Sequence, residues 1–174
     1  DGNTVPFGVK IAIWVTCALL YVTQVAGVFY RMQNGSEDNA FVYIGAAVMA
    51  FGITFESIAD IQKNAAKKIN SRRFVDTGLY KIVRCPNYLG EVVIWTGALV
   101  CAFGASLCAW QWIIVAIGYI GIIYVMFSGA RRLELRQNEV YGNDPEYQKY
   151  AKNTPILIPF LPIYTLAKYK WLQA

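Results

Sequence analysis

The sequence predicts an all-α, polytopic membrane protein with about four transmembrane helices, followed by amphipathic and interfacial segments at the carboxyl end. Hydrophobic residues make up 56% of the chain and occur in long blocks rather than in strand-like alternation. Four blocks approach the roughly 20 residues that a helix needs to cross about 30 Å of hydrocarbon. The cations cluster in the loops between the blocks, as is typical of membrane topology. All 174 residues are expected to form one membrane domain.

The expected spans cover residues 7–30, 40–61, 88–104 and 109–129. Between the first two lies a turn-rich loop that contains Asn34-Gly35-Ser36-Glu37-Asp38. Pro86 lacks an N–H and keeps Cys85 out of helical conformation, so the third helix should start at or just after Pro86.

The amphipathic carboxyl-terminal segment, 131–174, is expected to begin as a helical extension of the last span. A short surface helix should follow over 146–152. The segment 155–162 has three prolines in eight residues, which prevents a continuous helix. This segment is therefore expected to lie at the membrane interface or to re-enter the membrane.

A basic connector, 62–87, separates the second and third spans and carries seven cations up to Arg84. One explanation is the positive-inside rule together with anionic lipid headgroups, so the net charge of +5 does not require nucleic acid. The other is a phosphate cradle, because arginine offers phosphate a bidentate fork and lysine a point charge. Four spans place the connector and both termini on one side, which is expected to face the cytosol or the matrix.

Polar side chains occur at two places beside this basic side. Glu56 and Asp60 lie one helical turn apart near the end of the second span, where ionisable groups are costly unless they face protein, water or a ligand. The alternative is a solvated helix end paired with neighbouring lysines. Asn87 and Glu91 share one face of the third helix beside Tyr88, and that face is a candidate ligand wall.

Several kinds of site are not expected from the sequence. The chain has no histidine, which rules out a histidine base, a histidine zinc ligand and a Ser-His-Asp triad within it. Its four cysteines form no CxxC pattern, so neither a metal site nor a disulfide framework is expected. No G-x-G-x-x-G or P-loop pattern is present, so a nucleotide would bind between helices. The start at Asp1, without methionine, leads us to expect a processed or partial chain.

Residues 78–91, Gly-Leu-Tyr-Lys-Ile-Val-Arg-Cys-Pro-Asn-Tyr-Leu-Gly-Glu, resemble a known membrane-protein signature, GL(F/W)-x-Y-x-R-H-P-N-Y-x-G-E. It is typical of the family that includes steroid 5-alpha-reductase carboxyl-terminal domains and, more distantly, sterol reductases. Residues 56–63 resemble the family's E-x-x-A-D-x-Q-K segment, and 147–160 resemble its Y-x-x-Y, T-P and I-P ending. The resemblance runs from about residue 50 to 162.

The resemblance implies a helical bundle that holds NADPH in a polar cavity on its cytosolic side and reduces a steroid or other unsaturated lipid. It carries cofactor contacts over to Asp60, Lys67, Arg73, Asn87 and Glu91, and Arg84 and Tyr88 belong to the same signature. Cys85 stands where many members have histidine, and no catalytic residue is assigned. Such a protein is expected in the endoplasmic reticulum or an organelle membrane such as the mitochondrial one.

Two alternatives stay open at this point. One is an enzyme similar to isoprenylcysteine methyltransferases, which would bind S-adenosylmethionine; Glu134 is a single carboxylate where that pattern has two. The other is a non-catalytic accessory subunit of a membrane complex that keeps the fold, with or without a cofactor.

Overall fold

The computed structural model of the protein describes residues 6–36 and 39–172. Glu37 and Asp38 of the expected loop lie outside the described residues. Within the described ranges the chain forms five α-helices and no strand. The α-helices are α1 (Phe7–Gln33), α2 (Ala40–Ile69), α3 (Pro86–Ala102), α4 (Ala109–Tyr141) and α5 (Pro145–Asn153), and a 3₁₀ turn covers Gly78–Lys81. The prediction of an all-helical membrane protein is confirmed.

Three helices of the described chain, α1, α2 and α4, are long and apolar enough to cross a membrane. The expected third span also forms a helix, but α3 has only 17 residues and rises about 25 Å. This length is at the lower limit for a transmembrane helix. The structure thus gives three clear candidates for spans, and the fourth expected span, α3, stays a prediction.

The first residues of the basic connector, 62–69, belong to helix α2. The connector was expected to begin at residue 62, but α2 continues to Ile69. A helix does not have to end where its apolar block ends, because polar residues can continue it into water with their backbone hydrogen bonds intact. Lys67 caps the extension, since its ammonium donates to the carbonyl oxygens of Ser71 (3.1 Å) and Arg73 (2.6 Å) just beyond the helix.

The carboxyl-terminal elements form where the sequence places them. Helix α4 extends to Tyr141, past the apolar block. Asp144 caps α5 by accepting a hydrogen bond from the Glu146 N–H at 2.8 Å, and Pro145 occupies the first turn. No helix forms over 155–162. The N–H groups of Arg84 and Cys85 donate to the carbonyls of Pro155 and Ile156, each at 2.9 Å, so this segment pairs with the approach to α3.

The chain divides into two compact units, and whether they act as one membrane domain stays a prediction. The first contains the residues up to Ala46 together with Trp95–Ile122. Its helices approach closely at small residues: a Cβ on Gly27 would lie 2.7 Å from that of Ala102. The buried Arg31 guanidinium donates to the carbonyls of Cys101 (3.3 Å) and Phe103 (3.0 Å) at the end of α3.

The second unit comprises Ala47–Ile94 and Ile123–Ala174, and it contains all the residues that the signature singles out. Its core joins the start of α3, the middle of α4 and the carboxyl-terminal segment. The buried members are Cys85, Ala130, Ile156, Leu157, Leu166 and Leu172.

Candidate functional site

Helices α2 and α3 of the second unit come into close contact at Gly90. A Cβ at Gly90 would lie 2.7 Å from the Cβ of Glu56, so only glycine allows this approach. Glu56 lies one helical turn before Asp60 on α2, and the contact places it near the Glu91 carboxylate of α3. We call Glu56, Asp60 and Glu91 the carboxylate cluster. The structure thus brings together two acidic segments that are distant in sequence.

The 3₁₀ turn Gly78–Lys81 is held against α2 next to this cluster. The Leu79 N–H donates to the Gln62 side-chain oxygen at 2.8 Å. Gly78 has a φ of +61°, and the Gln62 amide fills the space where a side chain would be, so both conformation and space require glycine here. Tyr80, which follows Leu79 in this turn, is thereby fixed, and its side chain is 6% exposed.

The Tyr80 hydroxyl has no hydrogen-bond partner among the described residues. Burial, together with the Asp60 carboxylate, raises the pKa of Tyr80 well above its usual value of 10, so the phenol stays protonated. Leaving a buried hydroxyl unpaired costs about 1–3 kcal/mol. Tyr80 lies within the signature but is not among the residues that the resemblance predicts to contact the cofactor.

Asn87 and Tyr88 occupy the first turn of α3. Asn87 is half-buried and lies one helical turn before Glu91, as the spacing predicted. The Tyr88 ring packs against Gly129 of α4 and the core of the second unit. Tyr88 therefore contributes mainly to packing in this structure.

The two cations assigned to phosphate both have protein partners. Lys67 donates to the Tyr141 hydroxyl (3.1 Å) as well as to its two backbone carbonyls, which uses all three ammonium hydrogens. Arg73 pairs with Glu146 at 2.7 Å and with Asp76 at 3.1 Å. These hydrogen bonds, chiefly the one with Glu146, raise the pKa of Arg73. Both Arg73 pairs are open to solvent, so a phosphate can compete for Arg73 more easily than for Lys67.

Arg73 also lines an open cleft of about 380 Å³ at the end of α2. Its volume is within the range of small-molecule sites. Gln62 contributes to its wall and, as described above, also holds the turn that carries Tyr80. The polar lining residues are Gln62, Asn70, Arg73, Asp76 and Thr77.

Arg84, another residue of the signature, is buried in an ion pair. Its guanidinium donates to Glu134 at 2.9 Å, and the two side chains are 1% and 4% exposed. It also donates to the Tyr164 carbonyl at 2.5 Å. The second Glu134 oxygen accepts from the N–H groups of Leu166 (2.7 Å) and Ala167 (3.0 Å). In this structure Arg84 therefore anchors the carboxyl-terminal segment.

Two further observations limit the chemistry of the second unit. Burial raises the pKa of the Cys85 thiol to about 12, so it is not an activated nucleophile. The described residues include no group of three or more acidic or sulfur side chains arranged to hold a metal ion. Fold and site together define a helical integral membrane protein whose carboxylate cluster lies where α2 and α3 meet.

Comparison with known proteins identifies the family. A family model described as "Protein of unknown function (DUF1295)" matches residues 5–154. A very-long-chain enoyl-CoA reductase from Dictyostelium discoideum is 30% identical over 122 residues, or 69% of this chain and 36% of that protein. A steroid 5-alpha-reductase DET2 from Gossypium hirsutum is 30% identical over 87 residues, or 48% of this chain and 28% of that protein. No solved structure matches the chain significantly.

Because the family model covers most of the chain, this protein belongs to the DUF1295 family. Its similarity to the two reductases makes it a steroid-reductase-like membrane protein, as the signature predicted. The chain spans about a third of the length of the curated relatives it matches.

Proposed function

We propose that this protein is an NADPH-dependent membrane reductase that acts on a carbon–carbon double bond of an apolar lipid. Both similar proteins are reductases by name, one of an enoyl-CoA and one of a steroid. The observation that carries the proposal is the buried, unpartnered Tyr80 hydroxyl beside the carboxylate cluster. A site that leaves a rigid hydrogen-bond donor unpaired is suited to a polar ligand.

Side chains of the second unit offer the hydrogen-bonding groups and the positive charge that such a nucleotide needs. Asp60, Asn87 and Glu91 offer acceptors, and Asn87 also a donor, for ribose hydroxyls or a carboxamide. Arg73 lines the cleft beyond α2 and would hold a phosphate by exchanging its exposed carboxylate partners. Because its three protein contacts occupy the Lys67 ammonium, Lys67 would contribute only long-range attraction to the phosphates. Other exposed cations of this region, Lys63, Lys68 and Arg72, add to that attraction.

NADPH, when bound, supplies the hydride, and the protein supplies position, electrostatics and exclusion of water. The carboxylate cluster would stabilise positive charge that develops on the nicotinamide ring as hydride leaves it. These contributions require no histidine, in keeping with the composition of the chain.

The position of the site favours a substrate that arrives from the bilayer. The proposed nucleotide residues lie in or beside α2, a candidate span, and in α3, whose residues are mostly apolar. A steroid or long-chain acyl group partitions into hydrocarbon and would reach such a site by lateral diffusion. We place the protein in the endoplasmic reticulum or mitochondrial membrane, with the basic connector facing the cytosol or matrix.

Mass spectrometry of the small molecules released from protein purified in mild detergent tests this function. We expect NADP(H) at close to one equivalent, and reduction of an added enoyl or steroid substrate when NADPH is supplied. S-adenosylmethionine in its place would support a methyltransferase. A stable set of co-purifying subunits with no nucleotide would support an accessory role and contradict the proposal.

A further inference from the structure

We propose that Gln24 binds a single hydroxyl group inside the first unit, supplied either by a water molecule or by an alcohol of the membrane. Neither the signature nor the proposed function involves this residue. The inference is therefore independent of the reductase activity and stands or falls separately from it.

Gln24 is a buried polar residue of α1, a helix that is long and apolar enough to cross a membrane. It is 7% exposed, and neither its Oε1 nor its Nε2 has a hydrogen-bond partner among the described residues. Helix α4 lies close to this position, because a Cβ on Gly118 would lie 2.8 Å from the backbone nitrogen of Gln24. An amide buried among apolar groups without hydrogen bonds is costly, and hydrocarbon offers it none. The burial of Gln24 therefore calls for a bound group that supplies them.

A small cavity lined by Gln24 has room for such a group. Its volume is about 10 Å³, close to what one water molecule requires, and it is partly open. The lining residues, all in the first unit, come from α1, α3 and α4: Gln24, Trp95, Leu99, Val115, Tyr119 and Ile122. Trp95, Leu99 and Tyr119 are half-buried, so the chain of a membrane alcohol would leave the cavity beside them. The cavity thus fits a hydroxyl group but not a larger polar group.

The hydrogen-bonding needs of the amide select a hydroxyl. Nε2 requires an acceptor and Oε1 a donor, and this holds whichever way the amide is turned, because both atoms lack partners. A hydroxyl group both donates and accepts, whereas a carbonyl only accepts and an ammonium only donates. Tyr119 lines the same cavity, but its hydroxyl pairs with the Thr96 hydroxyl at 2.9 Å. The unmet hydrogen-bonding capacity therefore belongs to Gln24.

Infrared spectroscopy of the Gln24 carbonyl in lipid nanodiscs tests the site. The protein is isotope-labelled at the glutamine side-chain carbonyl, and the spectrum of Gln24→Met, which keeps an unbranched side chain, is subtracted from that of the wild type. One set of nanodiscs contains only diether phosphatidylcholine, a lipid without carbonyl or hydroxyl groups, and a second set contains added cholesterol and hexadecanol.

We expect the Gln24 band at the lower frequency of a hydrogen-bonded amide, calibrated with butyramide in hexadecane with and without an alcohol. Gln33→Met, at an exposed position of the same helix, is the matched control, and its difference band should not depend on the added alcohols. A bonded Gln24 carbonyl in both sets identifies water as the source, and one bonded only with the added alcohols identifies a membrane alcohol. Either result supports the site, whereas the frequency of an unbonded amide in both sets overturns it.

A structure of the wild type at a resolution that shows ordered water tests the same site without any variant, should Gln24→Met not fold. Density within hydrogen-bonding distance of both Nε2 and Oε1 is expected, isolated for water and continuous with a chain for an alcohol. An empty cavity overturns the proposal, and so does a Gln24 amide bonded to another residue of the protein.

Discussion

The buried pair between Arg84 and Glu134 yields the sharpest stability prediction. Glu134→Gln keeps the shape of the side chain but removes its charge, which leaves the Arg84 guanidinium buried at 1% exposure without a counter-ion. Removing one partner of a buried ion pair costs about 3–5 kcal/mol.

The assay is equilibrium unfolding by SDS in mixed micelles, followed by tryptophan fluorescence. Trp171 stacks on Tyr124 with ring centroids 6.2 Å apart, so it reports on the carboxyl-terminal segment that Glu134 anchors. Glu139→Gln, on the exposed polar end of the same helix, is the control and should change stability by less than about 0.5 kcal/mol.

A double substitution separates the ion pair from simple packing. In the Glu134→Gln background, Arg84→Met removes the uncompensated cation and should restore about 2 kcal/mol rather than add a further loss. A free energy of unfolding for Glu134→Gln within about 1 kcal/mol of the wild-type value would refute the role of the ion pair. Additive losses in the double variant would refute it as well.

Two further predictions concern the contact between α2 and α3 and the approach to α3. Gly90→Ala should destabilise the protein by about 1–3 kcal/mol, because its Cβ would lie 2.7 Å from that of Glu56. Gly8→Ala, with open space around the new Cβ, is the control for the SDS unfolding midpoint. Equal midpoints for Gly90→Ala and the wild type would contradict the close contact. Cys85 should resist maleimide at pH 8, since a thiol of pKa about 12 is ionised in only about one molecule in 10⁴. Its labelling, read by peptide mass spectrometry, should rise with pH and on unfolding, whereas exposed Cys108 should react in the folded protein; rapid labelling of Cys85 at pH 8 would argue against its burial.

Much of the helical architecture could be predicted because its signals are local. A long apolar block needs no partner to be identified as a membrane helix. The proline at residue 86 marked the start of α3, and Asp144 followed by Pro145 provides a cap and first turn for α5. The expected second span ends at residue 61, whereas α2 continues to Ile69. The two ends differ because hydropathy records where lipid ends, whereas hydrogen bonding of the backbone decides where a helix ends.

The candidate site was less predictable because its contacts are not local. The pairing of Arg84 with Glu134 joins residues 50 positions apart, and the Lys67 contact with Tyr141 joins residues 74 apart. No local pattern shows that these two cations serve the fold. Tyr80 presents the reverse case, since its lack of a partner becomes visible only when the neighbours of its hydroxyl are known. The assigned site residues themselves stay a prediction.

Direct titration of the purified protein with NADPH, followed by nicotinamide fluorescence, tests the central claim. We expect saturable binding to wild type and at least fivefold weaker binding to Asn87→Ala and to Arg73→Ala, with unfolding midpoints close to that of wild type for both variants. Lys168→Ala, an exposed cation near the carboxyl end, should bind as wild type does. Saturable binding that neither Asn87→Ala nor Arg73→Ala weakens would contradict the site, and the absence of any binding to wild type would contradict the function.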